Sequence, residues 1–166
     1  MAENDILFVG SIPANYDRYM VPLLFGPYAE QVAQRAAALR PKRILETAAG
    51  TGVVTQALHR ALPEAEIIAT DLNAPMLEEA EQRMAAGKVR FQQADALALP
   101  FEDGSFDLVV CQFGVMFFPD KVRANWEARR VLRNGGTYLS VVWDSMDRNP
   151  GSKAMGDGVA DLFPDD

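Results

Sequence analysis

Short apolar runs alternate along this chain with longer stretches whose apolar residues recur at helical spacing. Arg43 to Glu46 reads as a buried first strand, and Glu66 to Thr70 as a second, closed by Asp71. Val89-Arg90-Phe91-Gln92 reads as the third strand, Phe106 to Cys111 as the fourth and Thr137 to Trp143 as the fifth. A helix is predicted from about Tyr28 to Leu39, with Ala29, Val32, Ala33 and Ala36 on one side and Pro41 as its stop. Another runs from Gly52 to Leu62, with a stripe of Val53, Val54, Ala57, Leu58 and Leu62. A third starts at an Asn73 cap with Pro75 in its first turn and continues to about Ala86. The fourth runs from about Pro119 to Leu132 and buries Val122 and Trp126. Asn134-Gly135-Gly136 turns the chain into the fifth strand. Pro22 and Pro27 are expected to break the segment after the amphipathic piece Tyr16 to Met20. Asp144 to Asp166 is expected to be loop, with at most a short helix near Ala154 to Phe163. This alternation predicts an α/β three-layer sandwich around a doubly wound sheet of about five parallel strands.

Composition narrows the field. The chain has 166 residues, 49% of them hydrophobic, which suits one domain with a sizeable core. A net charge of -7 disfavours binding to a phosphate backbone. The short basic clusters, Arg40 to Arg43 and Arg129-Arg130 with Arg133, read as solvated helix ends. One cysteine excludes an internal disulfide framework, and one cysteine with one histidine makes no soft-ligand zinc site, so no metal is expected. The first residues are acidic rather than basic, and no apolar run approaches membrane-spanning length. A soluble, cytoplasmic protein without nucleic-acid partners is expected.

The chemistry concentrates in Ile44-Leu45-Glu46-Thr47-Ala48-Ala49-Gly50-Thr51-Gly52-Val53-Val54-Thr55. An apolar run ends in an acid, passes through small residues and opens a helix. Small residues let the backbone approach a ligand, and the helix start offers free N–H groups. Dinucleotides and S-adenosylmethionine both use such a turn. The dinucleotide pattern needs a third glycine where this chain has Thr55, and Glu46 would face the pyrophosphate. A cationic amine suits Glu46 better.

With these pieces in place, the chain resembles the class I S-adenosylmethionine-dependent methyltransferases, of the small-molecule kind close to the ubiquinone and menaquinone methylating enzymes. The resemblance covers roughly residues 16–143 and implies a Rossmann-like fold. It implies that Glu46 organises the loop near the methionine amino group, with Ala48, Gly50 and Gly52 lending backbone. Ala48 departs from the family, which most often has glycine there; alanine is tolerable if its dihedrals are not left-handed. The resemblance further implies that Asp71 holds the ribose hydroxyls, that Leu72 and Met76 sandwich the adenine, and that Asp95 and Ala96 meet its edge. Gln112 and Phe113 then lie beside the methionine part, and Phe117 and Phe118 wall the acceptor pocket. Residues 1–27, with Tyr16 and Tyr19, resemble an amino-terminal lid; residues 28–143 form the cofactor domain and 144–166 a C-terminal loop or short helix. The family sheet has seven strands, so a five-strand chain is truncated relative to it. Strand order 3-2-1-4-5 would leave strand five as an edge, with three outcomes open: the chain is a fragment of a longer protein, it pairs with a second copy, or residues 144–166 cover the edge.

Blander readings accompany several of these residues. Asp71 can be a simple helix-start acid, Leu72 and Met76 plain core, Asp95 a solvated turn, and Tyr16 and Tyr19 core aromatics. Asp107 starts its strand at the end remote from the ligand, which suggests a structural role. Cys111 reads as a buried strand residue, because His59 lies mid-helix elsewhere and faces solvent. No catalytic residue is assigned: displacement at an activated sulfonium relies much on positioning and water exclusion. The leading function is methyl transfer to a small-molecule acceptor. The alternatives are a cofactor-binding but inactive fragment or relative and, third, a nicotinamide oxidoreductase.

Overall fold

β1 (Arg43–Thr47) is the centre of a five-stranded parallel sheet in the computed structural model, which describes residues 15–84 and 88–162. β2 (Glu66–Asp71) and β3 (Val89–Gln93) extend it on one side. β4 (Phe106–Gln112) and β5 (Leu132–Val141) extend it on the other, giving the expected order β3-β2-β1-β4-β5. Ile44 lies opposite Ile67 on one neighbour and Leu108 on the other. Parallel neighbours need crossovers, and helices supply most of them. α1 (Gly26–Leu39) precedes the sheet, α2 (Val53–Ala61) links β1 to β2, α3 (Ala74–Arg83) links β2 to β3, and α4 (Lys121–Val131) leads into β5. The α/β, doubly wound class read from the sequence is the one observed.

Successive strand residues face opposite sides of the sheet, so each side has its own core. On one, Ala29, Val32 and Ala36 of α1 and Val54, Ala57 and Leu58 of α2 cover Ile44, Ile67, Leu108 and Val110. On the other, Ala128 and Val131 of α4 pack with Leu45, Ile68, Val109, Phe106 and Leu99. Each valine, leucine, isoleucine or phenylalanine among them stabilises the fold by about 1.5–3 kcal/mol when fully buried. At the amino ends of the strands, Asp107 Oδ2 accepts the backbone N–H groups of Lys42 (2.6 Å) and Arg43 (2.9 Å), and Oδ1 pairs with Arg133 Nε (2.6 Å). Burial works against the Asp107 carboxylate, but the two amides and the Arg133 charge outweigh it and hold its pKa below the usual value.

Several local expectations need correction. Val122 and Trp126 are 68% and 67% exposed, not buried. The covered face of α4 is Ala124, Glu127, Ala128 and Val131, because small residues at 124 and 128 let the helix approach the sheet closely. Pro22 and Pro27 do not break the chain: a wide helical coil over Tyr16–Phe25 runs directly into α1. In that wide coil the Gly26 N–H reaches back to Val21 O, and Pro27 sits in the first turn of α1, where a missing N–H costs nothing. The Asn73 side chain makes no cap; Asp71 Oδ1 instead accepts the Asn73 N–H at 2.9 Å. The Asn134–Gly136 turn is an irregularity within β5, with Gly135 at φ 79° and a register shift between Phe106 and Leu108. After β5, the chain forms α5 (Pro150–Leu162), longer than expected, which packs mainly on the short turn Met146–Arg148. The expected extensions to Ala86 and Phe163 lie outside the described residues, as does the acidic start of the chain.

Candidate functional site

Five loops leave the carboxyl ends of the strands together, where open α/β sheets bind ligands. The loop after β1 turns tightly through Ala48, Gly50 and Gly52, all with positive φ (53°, 56° and 80°). At Gly52 an added Cβ would lie 2.9 Å from Ala80 Cβ, so close packing of the loop on α3 as well as φ requires glycine. Ala48 occupies the left-handed region despite its side chain, the very condition under which alanine is strained. Its Cβ packs over Gly114, where a Cβ would come within 2.4 Å of it. Asp71 Oδ2 accepts the Gly50 N–H at 2.8 Å, so the end of β2 holds the turn after β1.

Glu46 is 2% exposed at the base of this turn. Burial first, then the nearby Asp71 charge, pushes its pKa up to about 8, against the Thr55 hydroxyl, which donates to Oε2 at 2.7 Å. Gln112, the last residue of β4, donates Nε2 to Phe25 O at 3.2 Å, but its buried Oε1 has no hydrogen-bond donor among the described residues. Glu46 and Gln112 line one cavity of about 30 Å³ with Phe25, Ala48, Gly50 and Thr51. Once Glu46 gives up its proton, its carboxylate and the Gln112 amide oxygen are two acceptors facing one small space, suited to an ammonium group, which brings donors only. A larger groove of about 840 Å³, by Asp103, Trp126 and Arg133, lies at the opposite end of the strands.

The structure gathers Glu46, Ala48, Gly50 and Gln112 around that cavity, with Asp71 bonded to the same loop. Met76 is buried with its Cε beside Gly50, whereas Leu72 is 55% exposed. Gln93 Nε2 donates to Leu72 O at 2.8 Å, tying the ends of β2 and β3. Asp95 is exposed and accepts the Leu97 N–H at 2.8 Å; Ala96 beside it is half-buried. Phe113 is buried at φ 56° and stacks on Trp143, with ring centroids 4.1 Å apart. Phe118 is half-buried, and Phe117 projects into solvent. Tyr19 is exposed under the Arg18 guanidinium; the Tyr16 side chain lies outside the described residues.

Cys111 is buried, and burial pushes its thiol pKa up, which suits a core residue rather than a nucleophile. His59 does not face solvent as expected: it is half-buried, with Nδ1 unpartnered among the described residues. Arg130 is not a solvated helix end, since it pairs with the buried Glu127. Sequence reasoning also missed Asp17, which accepts the Thr51 hydroxyl at 2.9 Å and pairs with Arg83, strapping the Tyr16–Phe25 segment over the loop. No local pattern marks a partner 34 residues away; the acid beside Tyr16 was the available signal. Among the described residues no cluster could hold a metal, and no helix is long and apolar enough to cross a membrane.

Comparison with known proteins places this arrangement. A family profile described as "Methyltransferase domain" matches residues 44–136. A demethylmenaquinone methyltransferase from Thermus thermophilus is 46% identical over 101 residues, 60% of this chain and 46% of that protein. Another from Deinococcus radiodurans is 37% identical over 134 residues, 78% of this chain and 56% of that protein. The chain thus spans about half the length of the curated relatives it matches. The crystal structure of a putative S-adenosyl-L-methionine-dependent methyltransferase from Methanococcus maripaludis superposes with a TM-score of 0.76. The superposition covers 99% of this chain and 77% of that one, at 24% identity, and establishes the shared fold. The profile match spans more than half the chain, including β1, the glycine turn and the end of β4, and by it this chain belongs to the methyltransferase domain family.

Proposed function

We propose that the chain binds S-adenosylmethionine at the carboxyl ends of β1, β2, β3 and β4, and serves methyl transfer to a small-molecule acceptor. The observation that carries the reading is the pairing of buried Glu46 with the orphaned Gln112 Oε1 across one cavity. The residues fit the cofactor: Glu46 and Gln112 would receive its amino group, and Asp71 its ribose hydroxyls. Asp95 and Ala96 would meet the adenine edge, and Leu72 and Met76 its faces. When bound, the cofactor supplies a methyl group already activated on a sulfonium. The chain's part is then to orient the donor and exclude water. Admission of a nucleoside needs more room than the present cavity, so the Tyr16–Phe25 segment must shift; with Tyr16 and Tyr19 it acts as the lid. Phe113 would lie beside the methionine part, and Phe117 and Phe118 would form the acceptor wall. The names of the quinone-methylating relatives support a small organic acceptor. A soluble, cytoplasmic location and a second copy of the chain against the β5 edge complete the proposal.

Titration calorimetry with S-adenosylhomocysteine tests the site. The wild-type chain is expected to bind in the micromolar range, and Glu46→Gln to bind more weakly with an unchanged circular dichroism spectrum. Equal affinity in both proteins removes Glu46 from the site, and no binding to the folded wild-type chain overturns the reading.

A further inference from the structure

α4 stands outside the proposed cofactor site, yet it carries the most densely bonded side chains near it. Glu127 is 5% exposed, and both of its oxygens are occupied. Oε2 accepts the Leu99 N–H at 2.9 Å and Arg130 Nη2 at 2.7 Å; Oε1 accepts Arg130 Nε at 2.9 Å. The paired Arg130 guanidinium holds the Glu127 pKa below its usual value. Arg130 then donates to Leu99 O at 2.9 Å, Phe101 O at 2.7 Å and Asp103 Oδ1 at 2.8 Å. Two turns before Arg130, Arg123 Nε donates to Leu97 O at 3.0 Å. A single helix face therefore grips alternate carbonyls, at 97, 99 and 101, of the loop that begins with Asp95. The grip reaches Asp95 directly, because its carboxylate accepts the Leu97 N–H and its carbonyl the Ala98 N–H at 3.0 Å.

Such a network is a poor way to gain stability alone. Taking the charged groups out of water offsets much of their attraction, and apolar residues of similar volume often do as well. Its distinctive product is a fixed backbone, with five guanidinium N–H groups in a rigid fork. We infer that Glu127 and Arg130 are positioning residues that set base selectivity, by holding the Asp95–Phe101 loop so that Asp95 presents a carboxylate to an exocyclic amine. This rests on the cofactor reading above. A purine with an oxo group in place of that amine meets carboxylate oxygen with carbonyl oxygen, and is rejected only while the loop cannot swing away.

The test compares S-adenosylhomocysteine with its 6-oxo analogue, S-inosylhomocysteine, in wild type, Arg130→Lys and Glu127→Gln, with amide exchange followed in the ligand-free proteins. Wild type is expected to prefer the adenosyl ligand about tenfold or more. Both variants should lose most of that preference, and their Leu97 and Leu99 amides should exchange faster. Glu127→Gln keeps the side chain's shape, so it reads the charge pairing if Arg130→Lys does not fold. A merely structural role weakens both ligands alike and leaves their ratio unchanged; that result overturns the inference. If wild type binds neither ligand, the cofactor reading fails instead. Unchanged exchange at Leu97 and Leu99 in both variants then overturns the clamp as well.

Discussion

Thr55 donates its hydroxyl hydrogen to Glu46 Oε2 at 2.7 Å, and this is the side-chain partner the buried carboxyl has among the described residues. One neutral donor does not offset the loss of water around a charge. Glu46 therefore keeps its proton to about pH 8 in the folded chain. Its folded pKa lies above the unfolded value, so the folded state binds more protons between about pH 4.5 and about pH 8. Stability from this group is complete below that window and falls as pH rises through it. Thermal unfolding of the ligand-free chain should show a decline in Tm across the window that Glu46→Gln lacks.

The same proton links to binding. A cationic ligand amine needs the ionised carboxylate, so below about pH 8 binding must expel a proton. Affinity for S-adenosylhomocysteine should strengthen as pH rises towards 8. Calorimetry in buffers of different ionisation enthalpy should detect close to one proton released at pH 7. A pH-independent affinity would place the amine elsewhere.

Asp71 serves the loop before it serves any ligand, through Gly50 and Asn73. Asp71→Ala should weaken S-adenosylhomocysteine binding by about 1.5–3 kcal/mol, the range for hydrogen bonds to a charged group. Titration calorimetry measures it; equal affinity in both proteins would remove Asp71 from ribose recognition.

Ala48 and Gly114 form a steric pair. Gly114→Ala should be severely destabilising, because its Cβ would meet Ala48 Cβ at 2.4 Å and Cys111 Sγ at 2.9 Å. Ala48→Gly should change stability by about 1 kcal/mol or less, since relief of left-handed strain is set against the entropy of glycine. The double variant should recover part of the Gly114→Ala loss, a coupling that urea unfolding of all four proteins measures. Strict additivity would mean that Cys111 alone provides the clash.

β5 is an edge strand, with Val142 and Trp143 exposed just beyond its end. Unpaired edges invite strand pairing. Sedimentation at micromolar concentrations should show self-association, and Val142→Lys, at an exposed position beside that edge, should suppress it. A clean monomer with strand-five amides protected from exchange would argue against an open edge.

The sheet was legible because the strands around β1 are buried on both faces and read as continuous apolar runs, as in Ile44-Leu45 and Leu108-Val109-Val110. The ligand end was legible because acids and small residues follow those runs directly: Glu46, Gly50, Asp71. The face of α4 was not. Val122 and Trp126 look like core by size, but the buried positions are two alanines, a valine and a charged Glu127. Burial of a glutamate follows from a guanidinium three residues on and carbonyls in another loop, which spacing alone does not reveal. Asp17 was missed for the same reason: its partners Thr51 and Arg83 are close only once the chain has folded.

The Asp107 carboxylate that takes up the Lys42 and Arg43 amides closes a loop of 64 to 65 residues. A connection of that length is entropically expensive and forms late. β1 and β4 cannot join until everything between them has been made and stored, so Glu46 and Gln112 meet only near the end of folding. During synthesis the first half of the chain therefore emerges with β1 lacking one neighbour and its apolar edge uncovered. Because these contacts form late, substitutions at Asp107 should speed unfolding more than they slow refolding, so this remote carboxylate governs how long the finished site lasts.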